Sequence, residues 1–374
     1  TAATRVNADG NIEKETSNLL LQSNSFNTTW GNTNTTETSG QSGYDGSSDA
    51  WLLTKTAAFG QINQSISLSG VHTFSFYAKE GTSGWMRMVL IGTANPSAYF
   101  NLSNGNVGVT SNIISSNSEN IGGGWYRYSI SINQPSITVV RIYPAEGDND
   151  ISGTSGNIVI QDAQLEQGLV AKDYIETTTT ALYGGITDNV PRLDYTDSSC
   201  PALLLEPQRT NFVPNSEYLG SSDWDKNGFG TGVAPVLTFG EESPEGLNNA
   251  YEITFNTGAG TSSGEQSNIS EAIGGQAAGD YTLSFWAKVS NGTDKIIARG
   301  AGGYLYTTCN LTTEWQRFEI TENLATAGSV YVDIGLRRGL ANEPLNSSVT
   351  CQIYGFQLEA GSYATSYIPT YGTS

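Results

Sequence analysis

Carboxylates, aromatic rings and a few cations are the residues here that chemistry could use. Glu166 and Glu359 occupy matched Gln-Leu-Glu-x-Gly stretches (164–168 and 357–361), and Glu13 and Glu206 form a second matched pair. A glycosidase needs two carboxylates facing each other across a cleft. These carboxylates instead recur once in each half of the chain, and an active site seldom recurs in both halves of a duplicated scaffold. The expectation is structural: buried or rim carboxylates accepting hydrogen bonds from backbone or from Arg5 and Arg192. His72 is the one histidine, which excludes His-rich metal sites and most Ser-His-Asp chemistry. It is expected at a surface or strand edge. Phosphate loops, nucleophile elbows and zinc motifs are absent from the sequence. The glycine stretches 122–124 and 300–303 read as turns. Cys200, Cys309 and Cys351 are odd in number, lack metal-ligand spacing and read as free thiols. The catalytic expectation is therefore none.

Aromatic side chains offer binding instead. Tyr77 with Lys79, and Trp286 with Lys288, sit at equivalent positions of two similar stretches. They fall on the strand face opposite a phenylalanine row, and a flat ring beside a hydrogen-bonding cation is a platform for the C–H face of a sugar. These four are the candidate glycan-binding residues; the competing expectation is that loops or a neighbouring subunit cover the rings. Trp125 and Trp315 alternate in phase with Arg127 and Arg317, as for Arg stacking on a ring or pairing with Glu166 or Glu359. Acidic loops at 146–150 and 241–245 carry the hard oxygen donors Ca²⁺ prefers, without the spacing of a known calcium loop. Solvated loops are the default there, Ca²⁺ is the metal to test, and no other cofactor is expected. Frequent Asn-x-Ser/Thr sequons arise by chance in a chain this rich in those residues.

The elements that must position these groups are written twice. Asn18–Ser23 recurs as 211–216, each copy followed by a tryptophan, Trp30 or Trp224. The strand at 72–79 recurs at 281–288, Trp-x-Arg at 125–127 recurs at 315–317, and Tyr-Ile-x-Thr at 174–177 recurs at 367–370. Residues 4–13 and 191–206 read as matched hairpin lead-ins, the first turning at Asp9-Gly10. Within the strands, Phe74, Phe76 and Ala78 alternate with Ser75, Tyr77 and Lys79, and Leu283, Phe285 and Ala287 alternate with Ser284, Trp286 and Lys288. No amphipathic helix of twelve residues is visible. Short strands with Gly-rich turns predict an all-β fold of two tandem jelly-roll β-sandwiches from internal duplication. The expected domains are 1–180 with its lead-in and 185–374 with the hairpin 191–206.

Composition narrows the partners. With 17 basic and 36 acidic residues, the net charge of −19 repels phosphate backbones and argues against nucleic acid. Charged residues are only 14%, so hydroxyls and amides build the polar surface. No apolar run approaches the ~20 residues of a membrane span. Neither a basic n-region nor an apolar h-region opens the chain, so it reaches its place without a secretory signal or has had one removed.

Several stretches taken together resemble a family of domains that recurs in tailed-bacteriophage structural proteins. They are Pro-Arg-Leu-Asp-Tyr at 191–195, the run from Cys200 to Asn211, Ser-Phe-Tyr/Trp-Ala-Lys, Trp-x-Arg, and Gln-Leu-Glu-x-Gly with Tyr-Ile-x-Thr. The first copy departs from the pattern, with Thr16-Ser-Asn18 where the second has Arg209-Thr-Asn211. The resemblance implies jelly-roll, carbohydrate-binding-module-like domains on a virion appendage: a tail fibre, head fibre or capsid decoration on the particle exterior. The expected partners are other virion proteins, a host-surface glycan and further copies of the chain in a homo-oligomer, a trimer being one expected form. The alternative is a secreted bacterial glycan-binding module pair or a cell-surface adhesin or filament subunit, extracellular or on the bacterial surface.

Overall fold

The computed structural model describes residues 4–186, 191–196, 198–300, 306–340 and 346–372. Within them the fold is all-β, two jelly-roll β-sandwiches related by duplication. Part of the 300–303 turn lies outside the described residues.

The first sandwich is Thr16–Gly185. Two strands, Gln61–Glu80 and Trp125–Ala145, are long enough to serve both of its sheets. Residues 125–134 pair with 70–79 in one sheet, and residues 137–142 pair with 62–68 in the other. The crossing falls at register shifts around Gln134, Ile137 and Val139 and at Gly70, whose φ of +89 is natural for glycine. One sheet, here the latch sheet, adds Thr35–Gln41, Ala50–Lys55, Ser115–Gly122 and Asn157–Gln167. The other, the tyrosine sheet, adds Gly31–Thr33, Trp85–Gly92, Ser97–Asn101 and Val107–Ser111. The alternation predicted at 73–79 holds: Phe74, Phe76 and Ala78 join Met86, Met88, Tyr128, Ile130 and Leu165 in the core.

The second sandwich repeats this order with its long strands broken. Its latch sheet runs Val233–Glu241, Ala250–Asn256, Ser348–Ala360, Gly279–Lys288, Gln316–Leu324. Its tyrosine sheet runs Asp225–Phe229, Gln266–Gln276, Gly328–Arg337, Asp294–Arg299, Thr307–Leu311. Leu283, Phe285 and Ala287 face the core, as the alternation predicts.

The lead-ins depart from chain order. Residues 1–15, expected with the first sandwich, group with Ile186–Ser374 in the second unit. Their bonds explain it. Thr4 N–H donates to the Tyr367 carbonyl, Ile12 N–H to that of Pro244, and Val6 N–H to Asp194 Oδ1. Both hairpins, Arg5–Val6 with Ile12–Glu13 and Arg192–Asp194 with Ala202–Leu204, therefore belong to one body. The first sandwich is an insertion into the chain of the second.

Candidate functional site

The repeated motifs build a latch on the outer face of each latch sheet. In the second sandwich, Glu359 accepts hydrogen bonds from Thr365 Oγ1 (2.7 Å) and the Thr365 N–H. Gln357 Oε1 accepts from Ile368 N–H (2.6 Å), and Arg317 donates to the Thr365 carbonyl (2.7 Å) and Ser284 Oγ (3.0 Å). The first sandwich repeats the arrangement. Glu166 accepts from Lys172 N–H (2.9 Å), Gln164 Oε1 from Ile175 N–H (2.8 Å), and Arg127 donates to the Lys172 carbonyl. Asn18 and Asn211 each bridge two carbonyls, those of Ala163 and Ile175 or of Phe356 and Ile368. These side chains satisfy backbone groups that the segment after the last strand would otherwise bury unpaired. Glu13 and Glu206 pair with Arg5 (2.8 Å) and Arg192 (2.9 Å) across their hairpins, as expected.

Tyr77 is only 9% exposed. Tyr44 stacks on it at 3.8 Å and 10°, and Tyr44 Oη donates to Asp162 Oδ2 (3.0 Å). The Arg127 guanidinium lies 5.4 Å from the Tyr77 ring. As a sugar platform Tyr77 is corrected: a loop ring already occupies its face. Lys79 is half-buried beside it and pairs with Trp125 in the ladder. Burial, with the charges of Asp49 and Asp45 adding to it, pushes the Asp162 carboxyl up to about 6.

Trp286 and Lys288 are more open. Arg317 lies 4.7 Å over the Trp286 ring, Tyr367 meets it edge-on at 5.5 Å, and Lys288 Nζ sits 4.9 Å over Trp315. Trp286 borders a cleft of about 200 Å³ whose walls include Arg5, Asp194, Glu206, Arg317 and Tyr367. One latch-sheet bulge recurs beneath both candidate rings, at Asp162 (φ +54) and Gly355 (φ +65).

A second group escaped the sequence reading. On the outer face of the second tyrosine sheet, Arg299 pairs with Asp333 (3.2 Å) and lies 5.2 Å from the Tyr306 ring and 5.3 Å from that of Tyr331. Asp333 also accepts from Tyr306 Oη (2.7 Å) and Asn268 Nδ2 (2.7 Å), while Asn268 Oδ1 has no hydrogen-bond partner among the described residues. Tyr331 is 40% exposed. Burial pushes the Tyr306 phenol up to about 12, with Asp333 reinforcing it. Lys295 and Asn310, on the same face, line a cavity of about 410 Å³ with Asp294, Thr312 and Asn346. Four residue rises along an extended strand carry Lys295 to Arg299, about 13 Å. The signal was present in the alternation: Tyr331 and Asp333 are out of phase with the buried Val330, Val332 and Ile334. In the first sandwich the matching face carries Arg87 over Tyr99 (5.3 Å) and Tyr143 (6.0 Å), and both of these rings are buried.

Three further expectations meet the structure. His72 is 4% exposed, not at a surface or edge, because its strand is paired on both sides, to Ile132 and Gln167. The acidic loops spend their carboxylates locally: Glu146 pairs with Lys55 (2.6 Å), Asp148 accepts from Val109 N–H (2.7 Å), and Glu241 accepts from Gln352 (2.5 Å). Among the described residues no group of three or more His, Cys, Asp or Glu side chains could hold a metal ion. All three cysteines are free, Cys200 exposed and Cys309 and Cys351 buried.

No protein-family model matches the chain, and no curated protein does. Solved structures similar to it include the tandem CBM22-1–CBM22-2 domain from Paenibacillus barcinonensis Xyn10C, at 11% identity over 92% of this chain and 97% of that one, TM-score 0.27. The CBM22-1 xylan-binding domain of the same protein is similar at 11% identity over 42% and 95%, TM-score 0.28. Bacteriophage CBA120 tailspike protein 4, in its enzymatically active domain, is similar at 12% identity over 40% and 21%, TM-score 0.26. At these values no residue role or ligand passes from those proteins to this chain.

Proposed function

We propose that this chain is a non-catalytic glycan-binding protein whose ligand face is the outer surface of the second tyrosine sheet. The observation that carries the reading is the exposed Tyr331 set in the Arg299–Asp333–Asn268–Tyr306 array, on the same face as the Lys295–Asn310 cavity. An exposed ring offers a stacking surface, and the ion pair and amide offer fixed donors and acceptors for vicinal hydroxyls. A span of about 13 Å suits a short oligosaccharide better than a single ring. The first sandwich, with Tyr77, Tyr99 and Tyr143 covered, acts as a spacer. The sequence resemblance supports display on a phage virion as an adhesive appendage, assembled as a homo-oligomer with other virion proteins. A glycan array, followed by titration of any retained oligosaccharide, tests the ligand face. Tyr331→Ala is expected to weaken binding at least tenfold, while Tyr77→Phe leaves it unchanged. An array without signal, or equal affinity in Tyr331→Ala, overturns the reading.

A further inference from the structure

Lys14 lies in the N-terminal lead-in, yet its side chain is buried inside the second sandwich, with only 3% exposure. Its Nζ is 2.5 Å from Glu217 Oε1 and in contact with Glu245 Oε1, and both carboxylates are as buried as the lysine. Tyr354 (3.1 Å), Tyr367 (3.0 Å) and Tyr371 (3.2 Å) each donate a phenolic hydrogen bond to Glu217. Their rings surround Nζ at 5.4 to 5.9 Å from the centroids. One ammonium between two carboxylates leaves an excess negative charge in a site shielded from water, and burying such ions is costly. Glu217 is held by three phenols and the lysine. Glu245 lies against the same nitrogen.

We propose that Lys14 and Glu245 condense, after folding, into an intramolecular amide cross-link, with Glu217 carrying the protons. Glu217 takes a proton from the Lys14 ammonium and passes it to the Glu245 carboxylate, and the freed Nζ lone pair attacks the now neutral Glu245 carboxyl at Cδ. Glu217 then takes a second proton from Nζ and delivers it to the hydroxyl leaving the tetrahedral carbon, which departs as water. One C–N bond forms, one C–O bond breaks, Glu217 ends as it began, and no oxidant, reductant or cofactor takes part. The net charge of the site stays at minus one, carried by Glu217 beneath its three phenols.

Two effects drive the step. Held side by side, the amine and carboxyl meet at an effective concentration on the order of 10⁵–10⁸ M. Condensation also removes two buried charges, recovering the desolvation cost of an ion pair. Burial alone would lower the Lys14 pKa, but Glu217 and Glu245 outweigh it and hold the ammonium well above the usual lysine range. The neutral amine therefore exists only while its proton rests on one of the two carboxylates, so the reaction is slow and occurs once per chain. The product ties the lead-in covalently to the loop holding Glu245 and encloses residues 15–244.

Intact-mass measurement of the purified full chain tests this directly. The expected mass is one water below the sequence mass, and digestion should yield a branched peptide joining residues 14 and 245. Glu217→Gln should restore the full mass while near-ultraviolet circular dichroism shows the fold retained; Lys14→Arg should also restore it. A wild-type chain at full sequence mass after prolonged incubation overturns the proposal, as does a branch at Glu217 in place of Glu245.

Discussion

Substituting His72 by glutamine should remove most of one acid-dependent loss of stability in the first sandwich. The imidazole is 4% exposed and its Nδ1 has no hydrogen-bond partner among the described residues. Burial depresses its pKa to about 4, against about 6.5 in an unfolded chain. Above pH 6.5 both states are neutral and His72 contributes nothing to the pH dependence. As the pH falls below that value, the unfolded chain takes a proton that the folded sandwich refuses. The folded state then loses about 1.4 kcal/mol per pH unit until His72 itself protonates near pH 4, about 3 kcal/mol in all. Asp162 works in the opposite sense. Its folded pKa is raised to about 6, so acid favours the folded state between roughly 6 and the ordinary aspartate value near 3.9. The two effects overlap, so the wild-type curve alone is uninformative and the difference between wild type and His72→Gln isolates the histidine. Urea unfolding between pH 4 and 7, followed by tryptophan fluorescence, gives both curves. The first-sandwich transition is identified at pH 7 as the one that does not expose Cys309 and Cys351, both buried in the second. A constant offset from the lost imidazole packing cancels in the slope. Parallel curves, diverging by less than about 1 kcal/mol, would refute the buried neutral histidine.

Glu271→Gln should act on the second sandwich with the reverse pH dependence. Burial, assisted by the charge of Asp223, pushes the Glu271 carboxyl up to about 8, so the folded state keeps a proton that the unfolded chain releases near the usual glutamate value. Wild type therefore loses on the order of 4 kcal/mol as pH rises from about 4.5 to 8. The glutamine variant should be more stable at pH 8.5 and nearly unchanged at pH 5, read from urea midpoints of Cys351 labelling. Gly355→Ala should cost about 2 kcal/mol in the same assay: its φ is +65, a side chain there is strained, and a Cβ would stand 3.1 Å from the Trp286 ring.

Alternation made the cores legible, because a residue's face follows from its parity once a strand is paired. Phe74, Phe76, Leu283 and Phe285 were placed this way, and the recurrence of Gln-Leu-Glu-x-Gly showed that its carboxylates serve architecture. Arg5 with Glu13 and Arg192 with Glu206 were readable because a hairpin brings near neighbours together. What sequence could not supply is long-range partnership through loops. Nothing near Tyr44 announces that it will lie on Tyr77, and nothing near Lys14 announces a carboxylate 203 positions away. Grouping residues 1–15 with the sandwich that follows them was the natural reading of chain order, and nonlocal bonds decided otherwise. The burial of His72 has a related cause: whether a strand is central or marginal depends on partners that local pattern does not specify.

The difference in strand continuity between the two sandwiches bears on how each responds to strain. In the first, Gln61–Glu80 and Trp125–Ala145 pass unbroken around the corner, so a displacement of one sheet is transmitted along the backbone itself to the other. In the second, the corresponding backbone leaves the ladder at residues 277–278 and 325–327, and its two sheets meet there only through short connectors. Duplicated halves of one polypeptide thus combine a stiff frame with a counterpart jointed at its corner, and the jointed half is the one whose outer face stands open.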